Sequence, residues 1–407
     1  NKETHDTTGG APDWQLSLFS DSMDKLIEDL FKEQDRLFGE EDADRKYAIK
    51  KSIDKTIDEI IRAKLQRDGN AAGLTKYEES LKQKTKPYFL WKLEFARVFK
   101  ENGGFDIVIG NPPYGLINKK QNQSTSIFAT DNELRFYKNS DLYQPALGGM
   151  INIYRLFVCQ SYSLLKGRGN FSLIFPMAFM CDLSASKLRK YIFANASVNY
   201  IEAFPERDNE NKRVFEAVKM SVCILGVTKI KRENSRFMLR IHHDRYVDER
   251  NEKTYVSANE LAMIDPNGLT IPIANQKEFD LFKKIVKNCI RLGKMSKCYT
   301  GEIDLSLDKK FIKNSDSYTT MVKGAQVQKF RITNDVSQGE ILYLDSQKYL
   351  EENNGSRASH HQFRRIVMQG ITGVNEKVRL KMTIIEPSVF CANSVNYILP
   401  QTNDFEL

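Results

Sequence analysis

Gly104-Phe105-Asp106-Ile107-Val108-Ile109-Gly110-Asn111-Pro112-Pro113-Tyr114-Gly115 is the stretch on which the reading of this chain turns. A glycine pair at 103–104 opens it, three β-branched residues (Ile107, Val108, Ile109) fill its middle, and Gly110 stops it. That pattern predicts a short buried strand feeding a loop. Two consecutive prolines in the loop fix their own φ, push Asn111 into an extended conformation and remove two backbone donors. What remains is a stiff cluster of acceptors, the side-chain carbonyl of Asn111 and the main-chain carbonyl of Pro112, beside the flat face of Tyr114. Such a loop suits a planar group that carries an amine. An aryl amine is a weak nucleophile because its lone pair is delocalised into the ring. Two carbonyls that accept both of its N–H bonds aim that lone pair at an electrophile, so the work is positioning and preorganised electrostatics rather than strong base catalysis. A plain proline turn would account for Pro112 and Pro113 but for neither Asn111 nor Tyr114.

Asn111-Pro112-Pro113-Tyr114 at the end of an apolar strand resembles the catalytic motif of S-adenosylmethionine-dependent amino-methyltransferases, in particular the Taq-type DNA adenine methyltransferases of restriction-modification systems. The longer string from Trp91-Lys92-Leu93-Glu94-Phe95-Ala96-Arg97-Val98-Phe99 through Gly104 to Tyr114 is similar to the fused type IIG restriction-modification enzymes. The resemblance implies that Asn111, Pro112, Pro113 and Tyr114 hold an adenine rotated out of duplex DNA. Arg213-Val214-Phe215-Glu216-Ala217-Val218 resembles the family motif whose aromatic residue packs on the other face of that base, which gives the role to Phe215. Asn152-Ile153-Tyr154 resembles a further downstream motif. The family binds its cofactor through a glycine loop after an early strand and acidic residues after the next ones. Nothing before Asp106 alternates in that way, so the cofactor-binding half is expected to be missing from this chain and to lie on an upstream segment of the same polypeptide.

With 407 residues the chain should form two or three domains. A net charge of +8 is compatible with a polyanionic partner. Six scattered cysteines (Cys159, Cys181, Cys223, Cys289, Cys298, Cys391) show no paired spacing, so neither a metal cluster nor a disulfide framework is expected, and a reducing compartment fits. No stretch is long and apolar enough to span a bilayer and no signal-peptide pattern opens the chain, so the expected location is cytoplasmic.

Residues up to Asp13 read as a loop, and from Trp14 a helical spacing begins that carries Met23, Leu26, Ile27, Leu30, Phe31, Leu37 and Phe38. Ile49, Ile53, Ile57, Ile60 and Ile61 mark the buried face of a second helix. Residues from Asp68 to Thr85 read as a loop or spacer, and those from Leu116 to Gly148 as a long irregular segment beside the catalytic loop. A helix over 151–166, a break at Gly167-Arg168-Gly169, a strand over 171–176 and a helix around 188–192 follow. Apolar runs at 198–204 and 220–227 correspond, by the resemblance, to the antiparallel hairpin that ends the methyltransferase sheet. The expected fold is therefore α/β: a Rossmann-like class I methyltransferase sheet, partial because its first strands are missing. It is flanked by an N-terminal helical segment and a C-terminal α+β target-recognition domain, with boundaries at 1–86, 87–232 and 233–407.

The last part carries a net charge of about +5 from Lys231 onward. Tyr299-Thr300-Gly301-Glu302-Ile303, Val322-Lys323-Gly324-Ala325 and the 389–396 segment resemble way-marks of the family's target-recognition domains. Basic residues set among aromatics or amides, namely Lys323, Lys329, Arg331, Arg364, Arg365, Lys377 and Arg379, are candidates for contacts with double-stranded DNA. The pairs His242-His243 and His360-His361 lack ligand partners at metal spacing and are read as surface or DNA contacts. Related loops also serve a protein glutamine or a guanine in RNA, and a recognition module with a vestigial loop is the non-enzymatic alternative. No spaced acid and lysine set indicates a nuclease.

Overall fold

The structure is a computed structural model that describes residues 24–82, 88–118, 126–334, 340–372 and 378–400. The loop expected up to Asp13 and the helix start expected between Trp14 and Met23 lie outside these residues, as does Lys377. The chain divides into two compact units, residues 1–287 and 288–407.

In the first unit α1 (Asp24–Gly39) and α2 (Ala43–Arg67) form a hairpin. Ile27 and Leu30 of α1 pack against Ile49, Ile53, Ile57, Ile60 and Ile61 of α2, together with Leu93 and Ala96. Each such buried side chain contributes about 1.5–3 kcal/mol. The Asp42 carboxylate accepts the Arg45 amide at 2.8 Å and so fixes where α2 begins. The stretch after Asp68, expected to be a spacer, instead forms α3 (Ala71–Leu81). Its weak apolar pattern concealed three supports: the Asn70 side chain accepts the Gly73 amide at 2.8 Å, Arg62 of α2 pairs with Glu78 at 2.7 Å, and Tyr77 packs on the hairpin core. Two short helices, α4 (Trp91–Glu94) and α5 (Ala96–Asn102), then lead to the sheet. Gly104 stands at its entrance with φ +146°, and a Cβ there would lie 2.5 Å from the Leu164 carbonyl oxygen, so only glycine fits.

The quoted stretch forms β1 (Phe105–Gly110). The expected irregular segment behind it is in fact built from β2 (Leu116–Asn118), β3 (Ser126–Phe128), α6 (Asp131–Asn139) and a tight turn over 141–146. Thr130 and Glu133 form a reciprocal cap that starts α6, a local signal hidden among polar residues. There follow α7 (Ile153–Leu164), β4 (Leu165–Pro176), α8 (Ala178–Cys181), α9 (Ser186–Asn195), β5 (Ser197–Phe204) and β6 (Val222–Thr228). The glycines at 167 and 169 lie inside β4 rather than breaking a helix. Then come β7 (Arg236–Ile241), β8 (Lys253–Ser257), α10 (Ala258–Ile264) and α11 (Gln276–Asn288).

Strand order in the sheet is β1-β4-β6-β5-β7-β8. The β1–β4 and β5–β7 pairs are parallel, while β6 runs antiparallel to both of its neighbours. One face packs Phe171, Leu173, Phe175, Ile201, Leu225, Val227 and Leu239 against the helices in a single core. Contrary to expectation, β1 is not a buried strand. Among the described residues it is an edge strand paired with β4 alone, and Ile107 and Ile109 are 67% and 80% exposed, because they point to the face opposite the core. The sheet also continues past residue 232, through β7 and β8, so the division between compact units falls after Lys287 rather than where composition changes.

The second unit is α+β. It contains β9 (Ser296–Thr300), β10 (Ile312–Lys313), β11 (Thr319–Val322), β12 (Val327–Gln328), β13 (Arg331–Ile332), β14 (Tyr343–Leu344), α12 (Ser346–Glu352), β15 (Arg365–Gln369), β16 (Met382–Ile385), β17 (Phe390–Cys391) and β18 (Val395–Pro400). These pair into two four-stranded sheets, β10-β14-β11-β17 and β16-β15-β18-β9, and the β12–β13 hairpin. No helix among the described residues is long and apolar enough to cross a membrane.

Candidate active site

β1 delivers Asn111 to the end of the sheet at which the parallel strands finish. Asn111 and Pro113 are exposed, Pro112 is buried and Tyr114 is partly buried. The loop is anchored just beyond, where the Ile153 amide donates to the Gly115 carbonyl at 3.0 Å and the Ile117 amide to the Ile151 carbonyl at 2.8 Å. Asn152 caps α7 through its side chain, a structural duty for that motif residue.

The Tyr114 hydroxyl sits 2.7 Å from Asn111 Oδ1 and 3.1 Å from the Ile174 carbonyl of β4, sharing its proton between these acceptors. Burial, with Cys223 beside it, holds this phenol well above its usual range, so it stays a neutral donor. The expectation that Asn111 Oδ1 stands free is thus corrected: one of its lone pairs is taken by its own loop, and the other remains. Phe215 is brought to Tyr114 as expected, with ring centroids 6.0 Å apart at 64°. A base between parallel rings needs about 7–8 Å. One ring must therefore rotate before a base fits between them.

Two residues that brace the Phe215 segment were not read from the sequence. Buried Arg213 donates through Nε to the Glu216 carbonyl at 2.9 Å and through Nη1 to the Arg207 carbonyl at 3.3 Å. Arg245 reaches the Asn211 carbonyl at 2.6 Å and the Glu216 carboxylate at 2.5 Å. Two further buried arginines hold the segments that follow the site end of the sheet. Arg155 donates to the carbonyls of Gly148 (2.8 Å), Ser184 and Met150, and Arg189 to those of Gly268 (2.7 Å), Phe179 (2.6 Å) and Asp182 (2.9 Å). Burial lowers the pKa of both guanidinium groups. An arginine inside the apolar run of α7 is the signal that could have revealed the first.

Among the candidate DNA contacts in the second unit, Lys329, Arg331, Arg364 and Arg379 are exposed. Arg364 Nε lies 3.1 Å from Glu386, and Lys323 donates to the Glu340 carbonyl. Arg365 does not belong with them. It is fully buried, paired with equally buried Glu302, and its guanidinium lies 4.6 Å from the centre of the Tyr397 ring. The Glu302 carboxylate also accepts the Cys391 amide at 3.0 Å, so the pair ties three strand segments together. His242 and His360 are likewise buried, not surface groups. His242 Nε2 lies 2.8 Å from Glu202, which also holds Arg240 in two hydrogen bonds of 2.7 and 3.0 Å.

An antiparallel strand inserted between two parallel ones, with an Asn-Pro-Pro-Tyr loop at the end of the neighbouring strand, defines a class I methyltransferase sheet. Residues 16–209 match the family model described as Eco57I restriction-modification methylase. Among curated relatives, it is 29% identical over 136 residues to the type II restriction enzyme and methyltransferase RM.Eco57I of Escherichia coli, covering 33% of this chain and 12% of that one. It is 24% identical over 242 residues to the type II methyltransferase M.HindII of Haemophilus influenzae, covering 53% of this chain and 42% of that one. The chain therefore spans less than half the length of either relative. Among solved structures, the type IIG restriction endonuclease BpuSI aligns with a TM-score of 0.34 at 13% identity, over 73% of this chain and 42% of that one.

Proposed function

We propose that this chain supplies the amine-holding part of a methyltransferase that modifies the exocyclic amino group of adenine in double-stranded DNA, within a restriction-modification system. The observation that carries the reading is the Asn111 side-chain carbonyl beside the Tyr114–Phe215 ring pair at the end of β1. The carbonyls of Asn111 and Pro112 accept the two N–H bonds of the amine, and the rings grip the base from either side once Tyr114 releases Asn111. Lys323, Lys329, Arg331, Arg364 and Arg379 are proposed to meet the DNA.

S-adenosylmethionine, the cofactor of this family, would supply the electrophilic methyl. Its ribose and adenine need a glycine loop after a strand, and among the described residues no strand precedes β1. The described residues thus fit the amine and not the cofactor. We infer that a strand bearing that loop adds to the free edge of β1, from an upstream segment of the polypeptide. Ile107 and Ile109, exposed on the face away from the core, would be covered by helices of that same segment. The same observation favours a second reading, a DNA-recognition module with no cofactor binding of its own.

The test is transfer of a radiolabelled methyl group to duplex DNA by the full encoded polypeptide, followed by identification of the modified base. Asn111→Ala is expected to lower the turnover by about 100-fold or more, the scale of losing a preorganised polar contact, with DNA binding unchanged. Methylation of another base, or equal loss of binding and transfer, would count against the adenine reading. Duplex binding with no transfer by the intact polypeptide would favour the module.

A further inference from the structure

The hairpin of β12 and β13 turns through two residues, Lys329 and Phe330, between the paired Gln328 and Arg331. Phe330 has φ +65°, at a turn position where glycine or asparagine is the usual choice. The turn is held in place, because the Phe330 amide donates to the Met382 carbonyl at 2.8 Å. Yet its ring is 80% exposed, and Lys329 Nζ lies 5.4 Å from its centre. A bulky aromatic in a left-handed backbone, kept in water on a pinned turn, costs stability without returning packing. Strain of that kind is retained at sites of function.

The neighbouring tip has the same character. Met382 opens β16, and the Gln369 amide bonds the Lys381 carbonyl, so the end of the β15–β16 hairpin lies beside the Phe330 turn. Ile371 and Leu380 on that end are 85% and 65% exposed. Lys329 and Arg331 on one tip and Arg379 on the other are exposed. Apolar points rimmed by cations complement a polyanion that has an apolar interior open to entry. Duplex DNA is such a partner, with phosphates outside and stacked bases within.

We propose that Phe330 is a wedge that enters a base step of duplex DNA while Lys329 and Arg331 hold the flanking phosphates. The proposal rests on the DNA-binding reading above and adds to it an apolar contact that opens the stack.

The experiment is filter binding of the chain to a pool of duplexes with a random central sequence, across a salt titration. Phe330→Gly relieves the turn, so thermal stability should hold or rise, while affinity should fall about tenfold, the scale of a lost aromatic stacking partner. The slope of log affinity against log salt should not change in that variant. Lys329→Ala and Arg331→Ala should each make the slope shallower by roughly one. Phe330→Leu, which keeps an apolar wedge, should retain most of the affinity. If Phe330→Gly binds as tightly as the unaltered chain, or destabilises the fold, the wedge is overturned and the DNA reading stands. If the unaltered chain fails to bind any duplex, both fall.

Discussion

Tyr114 competes with the base it is proposed to hold. Its hydroxyl occupies an Asn111 lone pair at 2.7 Å, so an incoming amine must displace it. Tyr114→Phe removes the competitor and keeps the ring. In steady-state methylation its KM for DNA should fall or stay level with kcat within about threefold, whereas Tyr114→Ala should lose roughly tenfold or more with the stacking face. A Phe variant as impaired as Asn111→Ala would mean that the hydroxyl itself takes part. His360 gives a pH signature. Burial first, then the charges of Arg365 and Arg357, hold its pKa below the ordinary value. The unfolded chain therefore binds a proton that the folded one refuses, and stability should fall as pH drops through about 6.5, levelling off below the folded pKa. Melting temperatures from pH 7.5 to 5.5 should decline less in His360→Gln than in the unaltered chain. Arg365 is the third case. Arg365→Met leaves Glu302 charged and buried, which should cost about 3–5 kcal/mol in chemical denaturation and leave the salt dependence of DNA binding unaltered.

At the scale of elements, legibility followed the length of the signal. Strands β5 and β6 and the helices α1, α2, α7 and α9 were readable because an apolar pattern runs through each. What was missed depended on single contacts: α3 on the Asn70 cap and a Tyr77 contact, α6 on the Thr130–Glu133 box. Residue type alone also misled. Arg365 and His360 look like surface groups until a buried carboxylate and a tyrosine hydroxyl are found to satisfy them. The candidate loop was legible because its residues are contiguous, whereas the Arg213 brace and the Tyr114–Asn111 bond arise only after the chain has folded. β1 read as buried because composition reports what a strand could bury, not how many neighbours it has. Its bare face leads to a prediction. Replacing Ile107 and Ile109 together by lysine should reduce self-association in sedimentation experiments and shift stability by no more than about 0.5 kcal/mol, since neither side chain is packed.

Across the whole molecule, the proposed function is shared between two units of different character: a sheet that ends in the Asn111–Tyr114 loop, and an α+β unit with cationic, apolar tips. The segment after Lys287 exposes Ile290 (75%) and Leu292 (57%), and the two units have separate cores. Brief proteolysis should therefore cut between about residues 288 and 295 before it enters either sheet, as fragment masses would reveal. The placement of β6 between β4 and β5 has a consequence in time. Phe175 and Ala203 both find their partner in Cys223, so the strand carrying the Ile174 carbonyl under Tyr114 has one side unsealed until the ribosome has delivered residues 222–228. The nascent chain holds the Asn111–Tyr114 loop early and the support for it late. Slow, non-local closure of this kind makes the interval between the two the moment at which synthesis is most exposed to chaperones and to error.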